Sequence, residues 1–191
     1  GKYQYALPLY RQETLFTQSG IHLSRTTMAR WVIQVSEKFT PLYQALKTHL
    51  LKQLVIQADE TPLNVLKEEK TCYMWLYCSG EDSPDARLPD MKNIVLFDYQ
   101  NSRARACPTA FLGDYNGYLQ SDGYRVYDGL PHVTNVGCLA HARRKFMDAK
   151  KLQGKGKSGK ADIALAKIQK LYALEARLKG SSSGVRLAQR Q

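Results

Sequence analysis

Apolar positions recur with a helical period over the first fifty residues and with a strand period after Leu54, so the chain changes character there. Residues 8–17 predict a first helix, broken at Gly20. Ser24 suits the N-cap of a second helix, because its hydroxyl can accept from the unbonded amides of the first turn. Met28, Trp31, Val32, Val35 and Phe39 then fall at spacings of 3, 4, 7 and 11, one apolar stripe. The opposite face carries Arg25, Thr26, Ala29, Arg30 and Gln34. Residues 41–52 predict a third helix. Helix, glycine-containing turn and a helix opening on small, polar and basic residues outline a helix-turn-helix DNA reader, with Arg25 and Arg30 on its DNA side. An ordinary helical hairpin has the same outline.

From Leu54 the pattern is that of strands. Residues 54–58, 71–78 and 93–99 are rich in β-branched and aromatic side chains, and 79–92, with Pro84 and Pro89, reads as a loop. Residues 103–112 predict a short helix started or interrupted at Pro108, 118–121 a fourth strand, 125–130 another short helix, and 132–138 a fifth strand. A helix over 141–152 and a basic, glycine-rich linker over 153–160 follow. Residues 161–179 form an amphipathic pattern with Ile163, Ala166, Ile168, Leu171, Leu174 and Leu178 available for burial, and 180–184 break it. Three parts result: a helical segment over 1–52, a mixed α/β core over 53–152, and a linker with a helical region over 153–191. Trp31 and Trp75 are expected in the core.

Charge changes the picture more than composition does. The chain has 191 residues and 43% hydrophobic content, but 28 Lys and Arg against 17 Asp and Glu give it a net charge of +11. Such a balance suits a polyanionic partner, and also a merely soluble basic enzyme. Position sharpens it: Arg143, Arg144, Lys145, Lys150, Lys151, Lys155, Lys157 and Lys160 crowd one segment with Asp148 alone opposing them. A concentration of that kind suits contact with phosphates.

The four cysteines, Cys72, Cys78, Cys107 and Cys138, form no Cys-x-x-Cys pair and have no close histidines, which argues against zinc and against a disulfide framework. No charged-then-apolar leader opens the chain and no apolar run approaches bilayer length, so a reduced, cytosolic setting is expected. The start at Gly1 and the polar finish at Arg190-Gln191 suggest a piece of something longer.

The sharpest chemical signal is a pair of aspartates. Asp59 closes the run Leu54-Val55-Ile56-Gln57-Ala58, and Asp122 closes Tyr118-Leu119-Gln120-Ser121. Each stands where a strand is expected to give way to a turn. Two carboxylates brought together need something positive between them, and Mg²⁺ is commonly held by one or two carboxylates plus phosphate and water. An acid on each of two neighbouring strands within a mixed sheet flanked by helices is the layout of the ribonuclease H-like fold.

Three blocks carry a resemblance: Ala58-Asp59-Glu60-Thr61-Pro62, Leu119-Gln120-Ser121-Asp122-Gly123-Tyr124, and Cys138-Leu139-Ala140-His141-Ala142-Arg143-Arg144-Lys145-Phe146. In that order they resemble the insertion sequence 66 family of DDE transposases. Residues 168–175 look like the same family's helical region. The resemblance implies that Asp59 and Asp122 are the first two catalytic carboxylates and metal ligands, with two Mg²⁺ or Mn²⁺ ions in the complete enzyme. It implies a bacterial, cytoplasmic protein that cuts double-stranded DNA at transposon ends and joins them to target DNA. It further implies homo-oligomers and companion proteins. The third carboxylate of the family, a glutamate in an Asn-Asn-x-x-Glu-Arg block, has no match here, so it is expected beyond Gln191. Asp148 and Glu175 are the candidates within the chain. His141 can position a phosphate or a water, or simply bond local backbone as a helix-start histidine. Arg143, Arg144, Lys145, Lys150 and Lys151 are expected on DNA, and Glu60, on the other side of its strand from Asp59, in a supporting role. A DNA-binding remnant without catalysis and a host nuclease of the same fold remain alternatives.

Overall fold

Turn chemistry sets the first helices. In the structure, a computed structural model, Gly20 adopts φ +76 after α1 (Leu9–Gln18), a conformation that favours glycine. Ser24 then accepts from the Thr27 amide at 3.2 Å to start α2 (Arg25–Lys38), as its position predicts. α3 (Thr40–Leu50) follows. The structure describes residues 1–80, 93–152 and 159–191, and the chain divides into two compact units, Gly1–Thr48 and His49–Gln191.

In the first unit only Met28 of the α2 stripe is buried; Trp31 is 52% and Phe39 56% exposed. Trp31 is therefore not a core residue, because an apolar stripe buries only as far as a partner covers it. Here it lines one wall of an open cavity with Leu9, Phe16, Val35 and Tyr43.

The second unit is built on a five-stranded mixed sheet ordered β3-β2-β1-β4-β5. Its strands are β1 (Val55–Leu63), β2 (Cys72–Cys78), β3 (Val95–Gln100), β4 (Gly117–Ser121) and β5 (Val133–Gly137). The first three pair antiparallel, whereas β4 runs parallel to β1 and β5 parallel to β4. α4 (Ala106–Leu112) and a single 3₁₀ turn (Arg125–Tyr127) lie in the connections. α5 (Leu139–Lys151), α6 (Lys160–Arg177) and α7 (Ser183–Arg190) complete the unit.

One face of the sheet is packed. Ile56, Trp75, Tyr77 and Leu119 are fully buried there. Phe111 of α4 stacks on Tyr77 with ring centres 3.7 Å apart, and Tyr127 meets Trp75 edge-on at 6.0 Å. Each such pair is worth about 0.5–1.5 kcal/mol beyond the area it buries. The opposite face exposes Val95, Phe97, Tyr99 and Tyr118. Gly117 is required by a close approach: a Cβ there would lie 2.8 Å from the Leu54 carbonyl oxygen and 2.5 Å from the Tyr115 hydroxyl. That hydroxyl donates to the carbonyls of Leu54 and Tyr118, tying the start of β4 to the start of β1.

Three elements depart from the sequence reading, and the first is the helix expected over 125–130, which is only the 3₁₀ turn Arg125–Tyr127. β1 does not end at Asp59 but runs on through Pro62 to Leu63. Beyond Gln57 it pairs with β2 alone, the edge-like setting in which a strand proline is tolerated. The Gly-Ser run after α6 does not end helical structure either: Ser182 accepts from the Val185 amide and caps α7. The loop expected over 79–92 and the linker over 153–160 fall largely on 81–92 and 153–158, outside the described residues. All four cysteines are free, and among the described residues no helix is long and apolar enough to cross a membrane.

Candidate active site

The parallel pairing of β1 with β4 matches Val55 with Tyr118, Ile56 with Leu119 and Gln57 with Gln120. The Gln57 and Gln120 side chains share one face, with Nε2 donating to Oε1 at 2.9 Å across 63 positions. Two residues further along the chain stand Asp59, still within β1, and Asp122, the first residue past β4. The alternation of side chains assigns Asp59 the same face as the glutamines, the open one, and Asp122 follows directly on the strand that carries Gln120. Chain direction adds a second constraint. β1, β4, β5 and β3 all run the same way, so the segments after β3, β4 and β5 emerge at one edge of the sheet. The successive connections leave β1 on opposite sides, toward β2 and β3 and then toward β4 and β5. Such a switch point at the carboxyl ends of parallel strands is where open α/β sheets form crevices.

Local hydrogen bonds orient both carboxylates. The Glu60 amide donates to Asp59 Oδ1 at 2.9 Å. Asp122 opens a tight turn in which Gly123 adopts φ +86 and the Tyr124 amide donates to Asp122 Oδ1 at 2.8 Å. The second oxygen of each has no bonding partner among the described residues. Two hard oxygen donors aimed outward suit a hard divalent cation completed by water and phosphate.

Glu60 lies on the packed face, its side chain 1% exposed. Its Oε1 accepts from Arg103 Nε at 2.9 Å and Nη2 at 2.5 Å, and its Oε2 from the Tyr127 hydroxyl at 2.6 Å. The bond to Glu60 raises the Arg103 pKa above its ordinary value, and burial followed by the same carboxylate pushes the Tyr127 hydroxyl up. Glu60 thus lies on the side of its strand opposite Asp59, as its parity predicts. Arg103 was legible only as the start of a short helix. Its one usable signal is its place just past β3, at the edge that carries Asp122.

The remaining candidates are distributed as follows. His141 sits in the first turn of α5, with Nδ1 buried and unbonded among the described residues, so it makes no bond to local backbone through that atom. Arg143, Arg144 and Lys145 are exposed on α5. Lys150 pairs with Asp162 at 2.8 Å, joining α5 to α6, and Lys151 pairs with Asp148 at 2.7 Å. Glu175 is held by Arg190 through two bonds of 2.7 Å. Both acids considered for a third carboxylate are therefore engaged with cations. Among the described residues, no three of His, Cys, Asp and Glu gather as a metal site. Arg25 and Arg30 are exposed on α2 of the first unit.

Comparison with known proteins places the chain in a family. The sequence model of the Transposase IS66 family matches residues 1–191. Uncharacterized protein y4jD of Sinorhizobium fredii (strain NBRC 101917 / NGR234) is 32% identical over 203 residues, covering 100% of this chain and 39% of the relative. Uncharacterized protein y4qI of the same organism is 28% identical over 204 residues, covering 100% of this chain and 37% of that protein. The chain thus spans about two fifths of the length of these relatives. No solved structure matches. With its whole length matched, the chain belongs to the IS66 family of transposases.

Proposed function

We propose that Asp59 and Asp122 are metal-holding carboxylates of a DDE transposase, within a ribonuclease H-like core that cleaves double-stranded DNA and joins transposon ends to a target. The observation that carries this reading is the β1–β4 register, which sets the two aspartates two residues past a bonded glutamine pair on adjacent strands. A sheet of three antiparallel strands followed by two parallel ones supports the fold assignment.

Asp59 and Asp122 would hold Mg²⁺ or Mn²⁺, two ions in the complete enzyme. When bound, the metal supplies Lewis acidity at phosphate oxygens. The protein's own contribution is geometric. β1 fixes Asp59 on a paired strand, and the turn at Gly123 fixes Asp122. Exposed Arg143, Arg144 and Lys145 on α5 take DNA phosphates, which position a duplex without reading its sequence, and exposed Arg25 and Arg30 on α2 are the DNA-facing residues of a helix-turn-helix. Lys150 and Lys151, exposed although paired with Asp162 and Asp148, keep donors for phosphate. The third carboxylate is assigned outside the described residues, because the chain carries no Asn-Asn-x-x-Glu-Arg block. The reading therefore makes this stretch inactive by itself, working as part of a longer, oligomeric protein with companion proteins in the bacterial cytoplasm.

The test uses the full-length protein, a pre-cut transposon-end duplex, target DNA and Mn²⁺. Joined product is expected, and Asp59→Asn or Asp122→Asn should abolish it while leaving duplex binding within about threefold. Cutting without joining would favour a nuclease. Binding without either reaction would favour a DNA-binding remnant.

A further inference from the structure

The middle of β1 and the segments that follow β3 and β4 meet in one bonded chain behind the aspartate pair. Glu60, next to Asp59 but turned to the packed face, accepts two hydrogen bonds from the Arg103 guanidinium. That guanidinium, in the segment after β3, lies against the Tyr124 ring, 3.9 Å from its centre. The Tyr124 hydroxyl donates back to the Arg103 carbonyl at 3.5 Å, and the Tyr124 amide donates to Asp122 Oδ1 at 2.8 Å. Trp75 anchors the same segment by donating from Nε1 to the Ser102 carbonyl at 3.3 Å.

We propose that Arg103, clamped by Glu60 and stacked on Tyr124, is a positioning residue that sets the direction of the Asp122 carboxylate relative to Asp59. This rests on the reading of the two aspartates as metal-holding groups. The coupling is mechanical. Asp122 lies just past the end of β4, so the ladder that holds Asp59 does not hold it. Its orientation depends on the Tyr124 amide, and the Tyr124 ring is carried by a guanidinium whose other edge is fixed to β1. Arginine suits this post and lysine does not. A planar fork can bond a carboxylate along one edge and stack by its face, while an ammonium offers neither a plane nor a fixed fork. Side chains that orient metal ligands from behind typically change metal affinity roughly 10- to 100-fold when replaced.

The experiment is Mn²⁺ titration of the full chain by calorimetry, with amide NMR of Tyr124 as a readout independent of metal. Arg103→Lys and Tyr124→Leu are expected to weaken Mn²⁺ binding at least tenfold and to speed hydrogen exchange at residue 124. Tyr127→Phe, which removes the other partner of Glu60 but leaves the stack, is expected to bind Mn²⁺ as the parent does. Equal weakening in Tyr127→Phe would mean general loosening and would overturn the proposal. Should Asp122→Asn abolish binding while Arg103→Lys and Tyr124→Leu leave it intact, the positioning role falls and the metal reading stands. Should Asp122→Asn bind like the parent, the metal reading falls. Orientation of Asp122 is then decided by the Tyr124 amide: faster exchange in Arg103→Lys supports it, and unchanged exchange refutes it.

Discussion

At the scale of residues, the two tryptophans make a sharp contrast. Trp75 is fully buried with Tyr127 edge-on against it, whereas Trp31 stands half in solvent on an open cavity wall. Trp75→Ala should cost about 3–5 kcal/mol in chemical denaturation, and Trp31→Ala less than about 1 kcal/mol. Similar losses for both would contradict the burial described. Gly123 offers a second residue-level test. At φ +86 an alanine is strained by about 1–2 kcal/mol, and the strain falls on the turn that orients Asp122. Gly123→Ala should therefore weaken Mn²⁺ binding more than it lowers the melting temperature. The turn at Asp122, the cap at Ser24 and the parity of Glu60 were legible in the sequence because each depends on neighbours a few positions away. The Glu60–Arg103 bond spans 43 positions and the Gln57–Gln120 bond 63. No local pattern encodes either.

At the scale of elements, the junction of β1 with β4 depends on a neutral hydroxyl. Burial pushes the Tyr115 pKa up to about 12 from an ordinary value of 10. Its folded-state value being raised, its contribution is complete below an ordinary tyrosine's pKa of about 10. It is lost as pH climbs to about 12, where the unfolded chain has already released the proton. Alkaline unfolding followed by circular dichroism should steepen across that window, and Tyr115→Phe should flatten the profile there. An unchanged slope in the variant would show that the Tyr115 proton does not hold the junction. The acid side belongs to the helices. The bond to Lys150 and then the Gly159 amide hold the Asp162 carboxyl below its ordinary range, and the bond to Arg190 does the same for Glu175. Depressed carboxyls support α5, α6 and α7 above the ordinary carboxylate range and lose that support as pH falls through their folded values. The strands and α1 to α6 were readable from periodicity and turn residues. α7 was hidden because a Gly-Ser run that breaks one helix also supplied the Ser182 cap for the next. β1 outruns its expected end because pairing with β2, which no local pattern encodes, carries it through Pro62 to Leu63.

At the scale of the molecule, a charge of +11 and the exposed cations of α5 bear on DNA. Each phosphate that a variant no longer neutralises should lower the salt slope of binding by about 0.9. Replacing Arg143, Arg144 and Lys145 together by alanine should flatten that slope by about 2 to 3, equally for transposon-end and unrelated duplexes. A slope that stays put would take α5 off the DNA. In the proposed chemistry, Asp59 and Asp122 act on the same ion. A double-mutant cycle tests that most directly, measuring Mn²⁺ affinity by calorimetry for the parent chain, Asp59→Asn, Asp122→Asn and the pair together. If the carboxylates share an ion, each single change should lose nearly as much binding as both combined. Losses that simply add, or binding untouched in folded variants, would show that the β1–β4 junction is not a metal site.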